Sequence, residues 1–539
     1  MTVSAQPLAV VGIGLRLPGG IDDLDGYWRL LERGGDVVAP MPEHRREPFA
    51  DEWAGLPDRG GFLDDVFGFD AGFFGMPSKE ARALDPQHRL LLEVSWEAFE
   101  DAGIVPGRDA GPRTGVYVGL STNDHLDYYR GGTPDGFWAL GGGHCFAAGR
   151  ISYLLGLGGP AMAVDTACSS SLVAIHLAAQ ALRTGQCDLA VAGGVNLILS
   201  PHTTRLVYQT SALSPDGVCR TFDARANGFT RSEGCGVVLL KRLADARHDR
   251  DRIHAVIHGV AVNQDGRSSG LTAPNVLAQA RLLEAALQDA GLKPEDVELL
   301  EAHGTGTALG DPIEIAAVAA TLGRTAGAAL QVGAVKTNLG HLEAAAGVAG
   351  LIKIVLCLRH AAIPPLVHFR TLNPRIELEG SGIRLATESR SWEPGFAGVS
   401  AFGMSGTNAH VILGPAEPAA AARAEAVPGF ELSARSEAAL RILAAACADR
   451  LDGLADEQYP AFAYTATHGR MRQRHTARVT ASDPTSAAAA LRALAAGDPA
   501  PGLESPAPQG FSLSLPRSVL DLPHYPWERR RHALDPSGE

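Results

Sequence analysis

Several features are scarce in this 539-residue sequence, and each scarcity excludes a class of protein. Its seven cysteines are an odd number without regular spacing, which does not fit a disulfide framework and suits the reduced thiols of a cytosolic enzyme. No apolar run reaches the ~18 residues of a membrane span. The start, MTVSAQPLAVVG, lacks the basic segment and cleavage site of a signal peptide. We therefore expect a soluble cytoplasmic protein.

Signatures of metal and nucleotide sites are also scarce. The cysteines form no CxxC pair and the histidines no HExxH pair, so we predict no metal site. The stretch GIGLRLPGG at 12–20 superficially looks like a phosphate-binding loop, but its spacing is not GxGxxG and no Walker lysine follows. A net charge of −13 argues against nucleic acid or an anionic membrane as the main partner.

What remains is a globular composition with a clear α/β pattern. Hydrophobic residues make up 45% and charged residues 20%, which excludes general disorder. Over residues 1–414, short apolar runs such as GVYVGL and AMAVDT alternate with helical patterns such as SLVAIHLAAQALRTG. Segments 161–182 and 331–357 have similar patterns, because each runs from a strand through a polar turn into a helix. This similarity predicts that the body consists of two related halves.

The composition changes near residue 415. A Pro/Ala-rich linker is followed by two helical patterns with a strand pattern between them, which predicts a small α/β unit at about 429–498. A second Pro-rich stretch is followed by a tail that contains apolar residues, among them Tyr525 and Trp527. These residues need an apolar surface against which to pack. We therefore predict a body at 1–414, a linker-type domain at 415–508 and a tail at 509–539 that packs back on the body.

The segment DTACSSS at 165–171 is the most informative for chemistry. Serines followed by an apolar helical pattern favour a helix start. Cys168 would then lie at a helix N-terminus, where the dipole and free N–H groups stabilise a thiolate. A neighbouring N–H group could also stabilise an oxyanion. The alternative is that Cys168 is a small buried hydrophobe, as many free cysteines are.

Three further motifs place polar residues at the ends of predicted strands. They are EAHGTGT at 301–307, KTNLGH at 336–341 and FGMSGTNAH at 402–410. Taken alone, His303 or His341 is as well explained by a structural role, and the last motif by an ordinary turn. Taken together, a cysteine at a helix start and two histidines at strand ends form a nucleophile with donor and base groups.

These motifs, in this order, resemble the ketosynthase domains of modular polyketide synthases, over residues 1 to about 414. The resemblance implies a thiolase-like layered αβαβα fold from two related halves. The segment that follows resembles the α/β linker domain between ketosynthase and acyltransferase. The tail LPHYPWERRRH resembles the strap that normally follows the acyltransferase. The resemblance further implies a homodimer whose substrates are attached to the phosphopantetheine arm of a carrier protein. It implies no tightly bound cofactor in the enzyme itself.

The resemblance also implies roles for single residues. Cys168 would carry the acyl chain as a thioester. His303 and His341 would promote malonyl decarboxylation or move a proton, and Lys336 would orient them. The backbone N–H groups of Cys168 and Met404 would form the oxyanion hole. The remaining expected substrate contacts are Phe402, Met404, Thr305, Thr307 and Asn338.

This sequence departs from the family pattern in several places. Gly142 stands where Asn is usual, His144-Cys145 is unusual, and Asn227 and Ser232 replace the common Asp and Gly. None of these is expected to touch the Cys–His–His set. Between the linker-type domain and the strap only about ten residues remain, too few for an acyltransferase, and no carrier protein follows. We therefore expect a stand-alone ketosynthase.

Four functions fit these observations. The preferred one is intramolecular, aldol-type cyclisation and release of a tethered polyketide or polyketide–peptide chain, as in ketosynthases of salinosporamide-type assembly, because one pocket holding both ends supplies effective molarity. The alternatives are decarboxylative Claisen condensation with a malonyl carrier protein, and a non-catalytic chain-length partner; plain transacylation also stays open. Carrier proteins are acidic, so candidate docking residues are arginines, namely Arg470, Arg472, Arg474, Arg478 and Arg529–Arg531.

Overall fold

A computed structural model describes residues 6–128, 136–324, 327–417, 427–507 and 513–533. The helices within these ranges are α1 Leu24–Glu32, α2 Glu43–Arg46, α3 Ser78–Ala83, α4 Pro86–Ala102, α5 Gly136–Gly142, α6 His144–Leu155, α7 Ser170–Arg183, α8 Pro201–Gln209, α9 Leu243–His248, α10 Val276–Ala290, α11 Gly310–Thr321, α12 Lys336–Leu339, α13 Ala346–His360, α14 Glu437–Asp452, α15 Tyr459–His468 and α16 Pro484–Ala496. The strands are β1 Leu8–Arg16, β2 Ala39–Pro40, β3 Arg59–Gly60, β4 Gly68–Phe69, β5 Thr114–Gly119, β6 Ala161–Val164, β7 Leu189–Asn196, β8 Gly234–Arg242, β9 Ala255–Gln264, β10 Val297–Glu301, β11 Leu330–Gly333, β12 Ala362–Ile363, β13 Ile383–Leu385, β14 Arg390–Ser391, β15 Phe396–Phe402, β16 Thr407–Gly414, β17 Phe430–Ala434, β18 His475–Val479, β19 Leu503–Glu504 and β20 Arg530–Arg531.

The central sheet has eleven strands in the order β13-β11-β10-β15-β16-β9-β1-β8-β7-β5-β6. Its two halves meet at β1 and β9, which pair antiparallel. From this seam each half continues through two antiparallel pairs and then through parallel pairs. In this repeat β6 corresponds to β11. The predicted organisation from two related halves is therefore confirmed, with Cys168 and His341 after equivalent strands.

Two helices form a middle layer between the halves of the sheet. Helix α7 contacts β5 and β7 of one half and β9 and β16 of the other, and α13 likewise contacts strands of both halves. Residues 346–358 of α13 are buried on every side, as expected of a helix enclosed by other elements. Helix α4 packs on β1 and β8, and α10 packs on β9 and β16. Helices and sheet thus alternate in the predicted αβαβα order.

The glycines that look like a phosphate-binding loop serve packing instead. A Cβ atom added to Gly12 would lie 2.4 Å from the Ala98 carbonyl oxygen, and one added to Gly14 would lie 2.2 Å from the Val94 carbonyl oxygen. Both carbonyls belong to α4. The glycines therefore let a helix backbone approach the strand more closely than any side chain would allow.

A separate three-stranded sheet, β17-β18-β19, is covered by α14 and α16. Strand β18 and helices α14 and α16 match the predicted elements, whereas β17 and α15 were not predicted. Strand β19 ends at Glu504, and the tail is described again from Leu513. The division of the chain at residues 414 and 508 stays a prediction.

The tail lies along α4, where a row of buried carboxylates accepts hydrogen bonds from it. Tyr525 N–H donates to Glu100 Oε2 (2.9 Å), and the Trp527 indole donates to Glu97 Oε1 (2.8 Å). Arg529 pairs with Glu93. Alternate residues of an extended chain thus meet carboxylates three or four positions apart on a helix, on one face of each element. The Tyr525 and Trp527 rings both contact Phe73.

All seven cysteines are free, in line with reduced thiols. Within the described ranges, no helix is both long and apolar enough to cross a membrane.

The contact between β1 and α4 gives a stability prediction. Gly14→Ala should lower the free energy of unfolding by about 2–3 kcal/mol, because the added methyl group overpacks a backbone that cannot withdraw. Urea unfolding followed by tryptophan fluorescence measures the change. Gly111→Ala is the matched control, since its added Cβ meets no atom within 4 Å. Equal midpoints for the two variants would contradict the close-packing role.

Candidate active site

Cys168 lies in a tight turn between β6 and α7. The turn, Ala167–Ser169, is a single 3₁₀ turn that continues directly into α7. Ala167 has φ +55°, a left-handed conformation that costs a residue with a Cβ roughly 1–2 kcal/mol. Its N–H donates to Asp165 Oδ1 (3.0 Å). The predicted position of Cys168 at a helix start is correct.

The serines after Cys168 act differently from the prediction. Ser170 Oγ accepts a hydrogen bond from Thr166 N–H (2.9 Å) and donates to the Ala167 carbonyl (2.6 Å). Ser169 Oγ donates to the Thr166 carbonyl (3.0 Å). These bonds tie the turn together on its upstream side and do not cap the first N–H groups of α7. The serines therefore hold the shape of the turn that carries Cys168.

His303 lies just beyond the end of β10 and is held through its backbone. His303 N–H and Gly304 N–H donate to the two carboxylate oxygens of Glu314, at 2.7 and 2.8 Å. Asp311, also on α11, accepts from Gly306 N–H (3.0 Å). Burial raises the pKa of both carboxyl groups to about 7. The loop that carries His303 is therefore fixed by two buried acids.

His341 follows α12 and has a defined tautomer. Its Nδ1 accepts a hydrogen bond from Glu343 N–H (3.0 Å), so the proton of the neutral ring lies on Nε2. The Nε2 atom is buried without a protein partner among the described residues. Burial, with the Lys336 charge as a second cause, holds the pKa of His303 and His341 well below the usual value. Both rings are neutral at pH 7, and His341 presents a donor.

The structure brings the predicted residues together. The rings of His303 and His341 lie edge to face with centroids 5.5 Å apart. The turn of Cys168 packs against the 3₁₀ turn Glu343–Ala345, which follows His341. Lys336 is 4% exposed, and its charge acts on His303, His341 and Cys168 alike. The turn before α7, the loop after β10 and the segment between β11 and α13 thus bring Cys168, His303, Lys336 and His341 into one cluster.

The sulfur of Cys168 is not the stabilised thiolate that the helix position suggested. Burial raises the pKa of the Cys168 thiol to about 12, and the Glu343 carboxylate adds to the rise. Lys336 and the N–H groups of Met404 and Cys168 act in the opposite direction. Desolvation outweighs the helix terminus here. Cys168 is therefore a neutral thiol at pH 7, although it is only partly buried and can be reached.

The two N–H groups expected to form the oxyanion hole lie at the sulfur. Both N–H groups lower the pKa of the Cys168 thiol, against the effect of burial. A Cβ added to Gly403, which precedes Met404, would lie 2.3 Å from the Thr166 carbonyl oxygen, so glycine lets this loop approach the turn that carries Cys168. The Met404 side chain is 41% exposed, and the Phe402 ring lies 5.4 Å from that of His303. Both side chains thus border the cluster.

The other expected substrate contacts divide into two groups. Thr305 and Thr307 are partly exposed, with their hydroxyl oxygens 3.2 Å apart. Asn338 is 1% exposed, and its amide donates to the Gly35 carbonyl (2.8 Å). The side chain of Asn338 thus holds a neighbouring loop, and the substrate contact expected at this residue stays a prediction.

Among the departures from the family pattern, one lies nearer the cluster than expected. Ser232 N–H donates to the His341 carbonyl (2.9 Å), which corrects the expectation that none of them touches the set. The contact is made by the backbone N–H group and does not use the serine side chain. His144 bonds to the Thr122 carbonyl through Nε2 (3.3 Å), and Cys145 is exposed.

Sequence reasoning missed the charged residues that hold the cluster. Besides Glu314 and Asp311, Glu301 accepts from Val335 N–H (2.6 Å) and from Lys353 (2.6 Å), next to Lys336. Arg231 pairs with Glu343. The available signal was a carboxylate on the apolar side of a helical pattern, as in GDPIEIAAVAAT.

Models of known protein families match the part of the chain that contains this cluster. Three family models match in succession: "Beta-ketoacyl synthase, N-terminal domain" over residues 5–246, "Beta-ketoacyl synthase, C-terminal domain" over 254–370, and "Ketoacyl-synthetase C-terminal extension" over 373–480. The first match contains Cys168, and the second contains His303, Lys336 and His341.

Curated relatives agree with this assignment. The chain is 49% identical to one subunit of the phenolphthiocerol/phthiocerol polyketide synthase of Mycobacterium tuberculosis (strain CDC 1551 / Oshkosh), in an alignment of 523 positions that covers 92% of this chain and 28% of that protein. For another subunit of the same synthase the identity is 46%, over 93% of this chain and 34% of that protein. The chain therefore spans about a third or less of the length of these relatives.

Two solved structures match nearly the whole chain. A ketosynthase from module 6 of the bacillaene synthase of Bacillus subtilis 168 superposes with a TM-score of 0.89 at 34% identity, over 98% of this chain and 100% of that one. The oxazolomycin ketosynthase domain OzmH KS7 of Streptomyces albus JA3453 also gives 0.89, at 35% identity, over 98% and 99%. The thiolase-like fold is thereby confirmed.

The burial of Cys168 predicts a pH dependence. Because its pKa is raised to about 12, the thiolate fraction should rise about tenfold per pH unit from pH 7 to 9 without levelling off. Iodoacetamide labelling, read at the Cys168 peptide by mass spectrometry, measures this rise. Cys168→Ala identifies the signal. A labelling rate that levels off below pH 8 would show a low-pKa thiolate.

Proposed function

The chain belongs to the beta-ketoacyl synthase family, and from this premise we propose that it condenses acyl thioesters by decarboxylative Claisen chemistry. Cys168 carries the growing chain, and a malonyl-type unit on a carrier protein supplies the new carbons. The observation that carries the proposal is the shared environment of the cluster, in which one buried lysine acts on the thiol and on both imidazoles.

The first half of the reaction loads the enzyme. Cys168 sulfur attacks the carbonyl carbon of a carrier-bound acyl thioester, and the negative charge that develops on oxygen is stabilised by the N–H groups of Cys168 and Met404. The bond to the carrier sulfur breaks, and the thiol proton goes to the departing carrier thiolate. A thiol with a raised pKa needs this proton transfer to be coupled to the attack.

The second half forms the carbon–carbon bond. The bond between the malonyl α-carbon and its carboxylate breaks, carbon dioxide leaves, and the electron pair forms an enolate. The Nε2–H of His341 faces the cluster as a donor that can stabilise the enolate oxygen, and His303 stands beside it. The α-carbon then attacks the acyl carbonyl, the bond to the Cys168 sulfur breaks, and the thiolate that leaves takes up a proton from solvent.

The tautomer of His341 favours decarboxylation over base catalysis. Because Nδ1 is occupied by Glu343 N–H, Nε2 carries the proton and cannot accept one. Decarboxylation needs a donor at the enolate oxygen and no base. Cyclisation by proton abstraction needs a base, and among the two rings only His303 is free for that role.

Intramolecular cyclisation is the second candidate. One observation favours it: strand β19 ends at Glu504 and the tail is described from Leu513, so no acyltransferase lies between the linker sheet and the tail. An extender unit must then come from another protein or domain, whereas a tethered chain that closes on itself needs none. The stand-alone arrangement itself stays a prediction.

A carrier protein is the proposed partner, and the structure narrows the candidate docking residues. Arg470 pairs with Glu100, Arg478 and Arg472 pair with Glu431, and Arg529 pairs with Glu93. These guanidinium groups are already occupied by carboxylates of this chain. The other arginines of the predicted set, Arg474, Arg530 and Arg531, are exposed and pair with no carboxylate among the described residues, and we propose them as contacts of an acidic carrier.

We also propose a homodimer formed at β6. This strand ends the central sheet, and its outer edge has free backbone groups that can pair with another strand. Two apolar side chains lie exposed nearby, Met162 at 44% and Tyr153 at 83%. A second copy of the chain would pair the edge and cover these side chains.

The reaction can be tested by offering substrates separately. With an acyl-loaded enzyme and malonyl carrier protein, we expect carbon dioxide release and a product lengthened by two carbons, and Cys168→Ala should form no acyl-enzyme in intact-protein mass spectra. A carrier-tethered linear chain offered alone should stay linear. Release of a ring with unchanged carbon count would instead establish the second candidate, and acylation of Cys168→Ala would exclude both.

The dimer can be tested at one residue. Met162→Asp should convert the dimer to a monomer in light scattering, because two carboxylates would face each other across the paired edges. Leu309→Asp, on an equally exposed apolar residue (53%), should leave the mass unchanged. A dimer that survives Met162→Asp, or a wild-type chain that is monomeric, would exclude this interface.

A further inference from the structure

Arg231 holds the segment that carries His341 from two sides. Its backbone neighbours bond to His341: His341 N–H donates to the Thr230 carbonyl (2.7 Å), and Ser232 N–H donates to the His341 carbonyl (2.9 Å). Its side chain reaches beyond the histidine to Glu343. Arg231 Nε donates to Glu343 Oε1, and Nη2 donates to Oε2 (3.0 Å). The guanidinium group is 4% exposed, so this is a nearly buried, two-point ion pair.

The ion pair fixes a turn that would otherwise be unfavourable. Glu343 has φ +48°, a left-handed conformation that costs roughly 1–2 kcal/mol for a residue with a side chain. In this conformation Glu343 N–H donates to His341 Nδ1. The remaining Arg231 nitrogen, Nη1, donates to Thr204 Oγ1 (2.6 Å), which anchors the guanidinium group to α8. Arg231 thus connects α8 to Glu343, the residue whose N–H group sets the tautomer of His341.

The ion pair between Arg231 and Glu343 also affects the negative charge that acts on Cys168. The carboxylate of Glu343 is one of the causes that raise the pKa of Cys168, while Lys336 lowers it. Asp124 and Glu233 also act on Arg231, and together with Glu343 they raise its pKa against burial, so Arg231 stays charged. Without Arg231, Glu343 would be an uncompensated carboxylate next to the thiol.

We propose that Arg231 is a positioning residue that acts through Glu343 on both catalytic partners, keeping the proton of His341 on Nε2 and offsetting the carboxylate that faces Cys168. The proposal rests on the proposed function for its consequences in catalysis. Its electrostatic half concerns a thiol that can be measured without any turnover.

The electrostatic half predicts a double-mutant cycle in labelling of Cys168 at pH 8. Arg231→Met should slow iodoacetamide labelling about threefold to tenfold, the effect of one nearby unit charge at partly screened distance. Glu343→Gln should speed it by a similar factor, and the double variant should return close to wild type. Labelling of Cys235 and Cys357, which are buried, reports unfolding in the same samples.

A purely structural role would give a different pattern. Damage from Arg231→Met would then persist in the double variant, and labelling of the buried cysteines would rise. Either result, or unchanged labelling in both single variants, would overturn the electrostatic half. A failure of the proposed condensation would not affect this cycle, because no substrate takes part.

The positioning half predicts a loss that the second substitution does not repair. Arg231→Met should lower decarboxylation of malonyl carrier protein at least tenfold in kcat with little change in KM. Arg231→Lys should restore part of it through one hydrogen bond to Glu343. In the double variant decarboxylation should stay low although labelling recovers. Wild-type decarboxylation in Arg231→Met, or full recovery in the double variant, would overturn this half.

Discussion

The contact between the first turns of α7 and α13 is the constraint on which the site depends. Val348 N–H donates to Ser171 Oγ (3.1 Å), and a Cβ added to Gly347 would lie 2.5 Å from Leu172 Cγ. The two helices therefore meet at backbone distance where both leave their halves of the sheet. The turn before α7 holds Cys168, and the turns before α13 hold Lys336, His341 and Glu343. Their contact assembles a site from residues more than 160 positions apart.

Desolvation decides the charge states in this site. The same burial that makes both imidazoles neutral also makes the thiol neutral, against the influence of a helix terminus and of Lys336. Buried carboxylates around the cluster are tied to backbone N–H groups, as for Glu314 and Glu301, and so act on the loops more than on the substrate. The proposed chemistry would consequently rely on donors already in place and on proton transfer coupled to attack.

The sequence allowed much of the fold to be predicted, because buried strands and amphipathic helices have periodic patterns. The helices after Cys168 and Gly340 and strand β18 were recognisable in this way. The four motifs with Cys168, His303, Lys336 and His341 were also visible, since glycines and short polar residues mark strand ends. The serines after Cys168 were misread, because a capping residue and a residue that ties the preceding turn have the same composition.

By itself the sequence determined the alternation of elements, because this follows from local composition and spacing. Its motifs also carried the resemblance to the ketosynthase family and, through that resemblance, the prediction of the reactive residues. Only the tertiary structure decided that Cys168 is a neutral thiol, that Asn338 holds a loop, and that Gly12 and Gly14 serve packing. It also decided that Arg231 and Glu343 belong to the site. Burial, tautomer and ion pairing depend on which distant segments surround a group, and that information is absent from any local stretch of chain.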